Sequence, residues 1–440
     1  MNAHRATAIV ASSVILSIIV PAVTTGTVKP GDLITSDSAT AVVDLVSPGN
    51  YSLVRQGMQM KIVSTGHLEW PPPYKSATEK YSSQVQLDEK GELRNYFAGQ
   101  PFPLLDPNDP QVALKVMWNF SFRPQYTDDA DIRYVEVASY TGDSKITDPV
   151  AHFTIGHFAF YNNIGRTEIS PIPTDSDGVG PDIRYRFGAF PFLEPAEMRG
   201  FGFIRWRHIG PQQEDNMWLY SNRSRRVRQV MTNDITSDTF GDTGSSYASN
   251  LDPDSYFGFM AKIQDYRYRF LGVRPMLACV HAESSPASAC PTDGGRSICP
   301  ENWEMRQLYV IETSFKPPTS MAGKMLGEAG PSIKNRVLYV DSEGWFVTAS
   351  DQYDRDGKLW KTIATFNTYR DRPVPDAKVA IWPFKRMFQT ALVDENVQNG
   401  FSTVVYTPAI NAEERECWYI NMGIVGKDFF TPTTLAHSGH

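Results

Sequence analysis

The segment Gly241-Asp242-Thr243-Gly244-Ser245-Ser246 makes the most specific chemical suggestion in the chain, because Asp-Thr-Gly-Ser is the fingerprint of aspartic proteases. That chemistry runs on two carboxylates sharing one proton, so a second Asp-Thr-Gly or Asp-Ser-Gly must face the first. None is present: Asp175-Ser176-Asp177-Gly178 and Asp341-Ser342-Glu343-Gly344 both break the spacing. Gly241 also stands where an apolar strand would lead in, so the segment reads as a polar loop. A serine hydrolase would need a G-x-S-x-G elbow, which is missing, as are a phosphate loop and HExxH. His152 and His157 lie five apart on an expected strand, where a period of two sends them to opposite faces and prevents joint chelation of a metal. No catalytic residue, metal or cofactor is therefore expected, and the chain reads as a non-enzyme.

Four cysteines, Cys279, Cys290, Cys299 and Cys417, allow three complete pairings, and sequence leaves all three open. Cys290 with Cys299 is favoured, since both sit in one small-residue loop (CPTDGGRSIC) able to close. Zinc is disfavoured by the lack of a CxxC pair and of any nearby histidine beyond His281. The arginines Arg223, Arg225, Arg226 and Arg228 follow Trp218 and Tyr220, an arrangement suited to an anionic headgroup at a membrane interface. The plainer reading is an amphipathic strand whose arginines alternate with Val227 and Val230. Trp118, Trp206, Trp345, Trp360 and Trp382 divide in the same way, between core and the wall of an apolar cavity.

These residues must be placed by a strand-rich scaffold. Tyr (20), Phe (24) and Trp (9) recur in short segments punctuated by Gly and Pro, 31 of each, which is a strand-and-turn composition. Residues 56–63 alternate Met58, Met60 and Ile62 against Gln59 and Lys61. A hairpin is expected at 83–97 with its turn at Gly91. The spacing predicts a helix over 106–120, with Asp109 capping, Pro110 in the first position and Val112, Ala113, Val116, Met117 and Phe120 on one stripe. A shorter helix is expected at 38–45. Strands are expected at 132–140, 151–161, 198–208, 216–221, 225–231, 256–270, 305–315, 336–341, 344–350, 358–368 and 402–407, with hairpin turns at 221–224 and 354–357. Successive hairpins imply a large antiparallel sheet.

Met1 to Arg5 is short and cationic, residues 6–20 are mostly apolar, and Val20-Pro21-Ala22 suits a signal peptidase. This predicts a cleaved signal peptide over 1–22, followed by a single domain over 23–440 with long loops at 232–255 and 279–304. The apolar run falls short of the roughly 20 residues that a spanning helix needs. With 42 basic residues against 49 acidic, the formal net charge of -7 argues against nucleic acid as a partner.

The motifs WPPPYKSATEKYSSQVQL (70–87), DPNDPQVALKVMWNF (106–120), EMRGFGFIRWRH (197–208), MWLYSNRSRRVRQV (217–230), SYFGFMAKIQDYRYRFLG (255–272), EMRQLYVIET (304–313) and YDRDGKLWKTIATF (353–366) follow in order along nearly the whole chain. Together they resemble the domain of unknown function 1329 family, grouped with outer-membrane lipoprotein-sorting, LolA/LolB-like proteins. The resemblance implies a mainly β fold with some helix: an unclosed β-barrel, or large curved antiparallel sheet, packed over a few helices and able to enclose acyl chains. It implies no catalytic residues. The expected function is a non-catalytic carrier for a lipid or other hydrophobic molecule, periplasmic or peripheral to the outer membrane. Its expected protein partner is a membrane transporter or outer-membrane protein in an export system. The expected ligand wall is Trp118, Trp206, Trp218, Tyr220, Tyr268 and Trp360, with Arg226 and Arg228 at the mouth. The alternative is an assembly or structural factor that binds another protein.

Overall fold

The computed structural model describes residues 28–176, 183–211, 213–230, 256–283, 289–316, 333–373, 382–406 and 418–439. The expected leader at 1–22, the Asp-Thr-Gly-Ser segment, the 232–255 loop, Cys417 and residues 284–288 of the second loop lie outside them.

Short strands β1 (Leu33–Ile34), β2 (Met60–Ile62), β3 (Gln86–Leu87) and β4 (Leu93–Arg94) precede three long ones, β5 (Asp129–Tyr140), β6 (Ala151–Asn162) and β7 (Ile183–Glu194). Then come β8 (Gly202–His208), β9 (Asn216–Ser221), β10 (Arg226–Val230), β11 (Tyr266–Ala278) and β12 (Glu301–Phe315). The chain continues through β13 (Ile333–Asp341), β14 (Val347–Asp354), β15 (Leu359–Arg370), β16 (Arg386–Asn396), β17 (Phe401–Tyr406) and β18 (Trp418–Ile420). Among the described residues, all but β3 and β4 join a 16-stranded sheet with the path β1-β2-β12-β13-β14-β15-β16-β17-β5-β6-β7-β8-β9-β10, off which β11 pairs with β12 and β18 with β5. Neighbours are antiparallel except β2 and β12, where Met60 aligns with Glu301 in parallel. Among the described residues the far edge, β10, bonds only to β9, and the sheet is unclosed.

Both faces of the central strands of this sheet are covered. Val137 and Ala138, Ile363 and Ala364, and Leu392 and Val393 each send one residue into a large aromatic cluster and the next into a different core. Strands buried on both sides lose the alternation that marks a half-exposed strand. That is why β7 and β16, with burial nearly continuous along their length, were not anticipated. In β7 the disguise is doubled by Pro191, whose ring fits because Gly156 opposite carries no side chain.

Helix α1 (Pro48–Arg55), also unanticipated, docks on β14 and β15. Helix α2 (Pro72–Tyr81) was likewise not expected. The expected helix at 38–45 is a 3-10 helix at Ser36–Val42. Helix α3 (Val112–Ser121) buries Val112, Ala113, Val116, Met117 and Phe120, the stripe read from sequence. It begins after Pro110, and Asp109 accepts the Gln111 amide at 2.7 Å in the preceding turn.

Two strand expectations are corrected. Residues 256–265 form single 3-10 turns, not strand, because Phe257 (φ 58°) and Gly258 (φ 77°) take left-handed backbone that breaks an extended run. The strand over 344–350 starts only at Val347, since Trp345 (φ 59°) belongs to the turn. His152 and His157 also depart from expectation. Arg133 aligns with His157 and Val135 with Ile155, leaving Tyr134 at φ 57° between them. The side-chain phase of β6 changes there with no shift of register, so Phe153, Ile155, Phe158 and Phe160 all enter one cluster and both histidines lie on the opposite face. They remain separate, His152 at 3.4 Å from Glu136 and His157 at 3.0 Å from Asp131.

Cys290 and Cys299 are joined, with S–S at 1.93 Å and Cα atoms 4.6 Å apart, and Cys279 is buried and free. Nearby, Asp351 of β14 anchors α1: it accepts from the Gly49 amide at 3.1 Å, Ser47 Oγ at 3.2 Å and Thr362 Oγ1 at 2.8 Å. Burial pushes its carboxyl up to about 6, against those three donors. The folded value thus exceeds the unfolded one near 4. Between the two the folded chain holds the extra proton, so this group weakens the fold as pH rises from about 4 to about 6, by about 3 kcal/mol in all. The urea midpoint of the unmodified protein should fall across this window more steeply than that of Asp351→Asn. Parallel curves would show that Asp351 is not the titrating group.

Candidate binding cavity

The aromatic face of the sheet is roofed by α3, by the residues following it, and by the segment 256–265. A cavity of about 80 Å³ remains between them. Its wall begins with Phe120 and Phe122 at the end of α3 and continues through Arg123 and Tyr126. Phe160 of β6, Arg184 and Tyr185 of β7, and Arg207 of β8 form the floor, with Phe257, Phe259 and Met260 as the roof. Tyr126 stacks on Phe160 with centroids 6.1 Å apart, and Phe257 meets Phe160 at 5.5 Å. Aromatic side chains stack in this region because β5 to β8 each contribute large rings to the same face.

The roof is fastened mainly by side chains. Arg207 donates to the Met260 carbonyl at 2.7 Å, and Lys262 to the carbonyls of Gly210 and Gln213 at 2.6 and 2.5 Å. Lys262 is pulled down by burial. Burial also pushes the Tyr126 hydroxyl up to about 12, so it keeps its proton at neutral pH.

The ligand wall expected from sequence does not assemble around this cavity. Trp206 and Trp218 pack edge to face at 4.9 Å on the other side of the sheet, with Tyr220, Phe430 and the C-terminal helix α4 (Pro432–Ser438). There Trp206 Nε1 donates to the Phe430 carbonyl at 2.8 Å. Arg226 and Arg228 are exposed on the edge strand β10. Trp118 is buried in α3 and donates to the Gly91 carbonyl at 3.1 Å. Tyr268 caps the Ile263 carbonyl at 3.0 Å behind the roof. Trp360 is half-exposed on β15 beneath Lys361, 4.8 Å from its ring. The cavity residues Arg123, Arg184 and Arg207 were missed. Arg184 sits in IRYRFGAF, where an alternating arginine in an aromatic strand was a usable signal, but no spacing links it to Arg123.

An unclosed, mainly antiparallel sheet with an aromatic inner layer and a small roofed cavity is the class of protein that this architecture defines. The chain belongs to the DUF1329 family, described as a protein of unknown function, whose model matches residues 33–436. Solved structures similar to it include a domain from Vibrio parahaemolyticus described in terms of outer membrane lipoprotein sorting. It has 16% identity, coverage of 74% of this chain and 98% of that one, and a TM-score of 0.45. A DUF1329 family protein from Desulfovibrio piger has 15% identity, coverage of 70% and 92%, and a TM-score of 0.40. A LolA superfamily protein from Nitrosomonas europaea has 12% identity, coverage of 69% and 90%, and a TM-score of 0.32. No curated protein matches the chain. Among the described residues, no helix is long and apolar enough to cross a membrane.

Proposed function

We propose that this protein is a non-catalytic binding protein that carries a lipid or other hydrophobic molecule, acting in the periplasm or at the outer membrane after export. The observation that carries this reading is the space left between the aromatic floor of β6 and β7 and the roof at Phe257–Met260. Burying an acyl chain there gains about 0.8 kcal/mol per methylene, which is the driving force a carrier needs in water. A cavity of about 80 Å³ accepts only the first part of such a ligand. Accommodating the rest requires the roof to lift, and a segment tied down by a few side-chain hydrogen bonds opens more cheaply than a strand of the sheet. The titratable groups of the wall support binding over catalysis, since arginines and a tyrosine that holds its proton make poor acids and bases at neutral pH.

A transporter or outer-membrane protein is the proposed partner that loads or unloads the ligand. The second reading, an assembly factor recognising another protein, draws on β10 as the edge of the described sheet, although its exposed Arg226 and Arg228 are the sort of charges that discourage strand addition. Organic extraction of the purified full chain followed by mass spectrometry separates the two. The carrier should release a stoichiometric hydrophobic molecule, and an empty extract together with no uptake of added lipid would rule it out.

A further inference from the structure

We propose that the cavity ligand carries an oxyanion, a carboxylate or a phosphate, that is held by Arg123 and Arg184 while its apolar part lies against the surrounding rings. This rests on the binding function proposed above and adds the chemical class of the ligand.

Several buried arginines elsewhere in the fold are neutralised by a carboxylate at close range. Arg207 meets Asp215 at 2.6 Å, Arg306 meets Asp341 at 2.8 Å, and Arg386 meets Glu168 at 2.7 Å. Arg123 and Arg184 have no such partner among the described residues. Arg123 donates through Nε to Gln125 Oε1 at 2.7 Å and through one terminal nitrogen to the Phe120 carbonyl at 3.1 Å. Arg184 donates to the Ser121 carbonyl, and its Nε has no hydrogen-bond partner. A guanidinium offers five N–H donors, so both side chains keep donors to spare.

Both arginines are half-buried and line the cavity. Aromatic faces supply part of the missing compensation: the Arg123 guanidinium lies 4.6 Å from Phe120 and 4.9 Å from Phe257, and that of Arg184 lies 4.4 Å from Phe122. Rings offset a buried cation only partly, since a cation–π contact returns less than removing a guanidinium from water costs. Burial pulls both down to about 10, helped by repulsion from Arg184 on Arg123 and from Arg207 on Arg184, and both stay charged at neutral pH. Two like charges facing one space match a bidentate oxyanion, the ligand that arginine recognises best. The neighbouring Phe160, Phe257 and Met260 suit an alkyl or aryl group, which argues for an amphiphile over a free inorganic anion.

The test uses the delipidated full chain and measures binding of dodecanoate, dodecyl phosphate, dodecanol and inorganic phosphate below micelle-forming concentrations. Dodecanoate or dodecyl phosphate should bind at least about tenfold more tightly than dodecanol, the loss expected on removing charge-assisted hydrogen bonds, and the stronger of the two identifies the headgroup. Arg184→Gln should abolish that preference, bringing the anions down to the affinity of dodecanol for the same variant, and the exposed Arg226→Gln should leave it intact. Equal binding of dodecanol and the two anions overturns the oxyanion assignment and leaves the carrier function standing. Inorganic phosphate binding as tightly as dodecyl phosphate overturns the amphiphile. Failure of every amphiphile to bind removes both proposals. The wild-type comparison decides the matter even where Arg184→Gln does not fold.

Discussion

Replacing Gly49 with alanine is expected to lower stability by roughly 3 kcal/mol, the upper end of the usual cost of overpacking a core. A Cβ at this position would coincide with the Asp351 carboxylate and the Thr362 side chain. Both neighbours are fully buried, at 0% exposure, on adjacent strands β14 and β15, so neither can move aside into solvent. Helix α1 would have to retreat instead, breaking the Gly49 and Ser47 hydrogen bonds to Asp351. That would leave a buried carboxylate short of donors, which adds a desolvation penalty to the steric one. Urea unfolding measures the loss, and limited proteolysis should cut sooner in the N-terminal segment. Gly142→Ala is the matched control, since a Cβ there meets nothing within 4 Å. A Gly49→Ala protein as stable as this control would show that α1 does not dock as described.

Phe187→Ala is expected to be at least as damaging, at about 3–5 kcal/mol for a large aromatic removed from a packed core. Phe187 on β7 is 0% exposed. Its ring lies 4.8 Å from Phe158, 4.7 Å from Phe160, 5.5 Å from Phe203 and 5.9 Å from Tyr256. The four neighbours come from β6, β8 and the roof, and no single rearrangement closes a hole that all of them border. Because Phe160 and the roof are also cavity wall, the variant should loosen the cavity and weaken amphiphile binding in step with stability. Exposed Leu104, 92% accessible, gives the contrast: Leu104→Ala should change the urea midpoint very little. A loss for Phe187→Ala under about 1 kcal/mol would mean that the aromatic layer is loosely packed.

Much of the scaffold was legible locally. The alternation at Met58, Met60 and Ile62 marks buried positions around a true strand. Gly91 (φ 80°) and Gly357 (φ 79°) sit at the turns read for them. The stripe of α3 is buried as its spacing demands. What escaped notice was set by neighbours distant in sequence. β7 and β16 look unlike strands because the second face is covered by chain from elsewhere. The two histidines share a face because the side-chain phase of β6 changes between Ile155 and Phe158, opposite the left-handed Tyr134 of the partner strand. The roof at 256–265 has the composition of a strand, yet Phe257 turns left-handed and packs over the cavity.

The site shows the same division more sharply. Tryptophan and arginine content, read alone, drew attention to Trp206 and Trp218, which pack on the other face of the sheet from the cavity, and to Arg226 and Arg228, which are exposed on the edge strand β10. The sequence by itself determined which segments extend, where the hairpins turn, and which family the chain resembles, because turn chemistry and side-chain periodicity act over a few residues. Only the tertiary structure decided which face each strand shows to the cavity and that Arg123 and Arg184 meet there. A one-residue change of register or a single bulge reverses every side chain beyond it, and such shifts arise from pairing between strands rather than from any stretch of sequence.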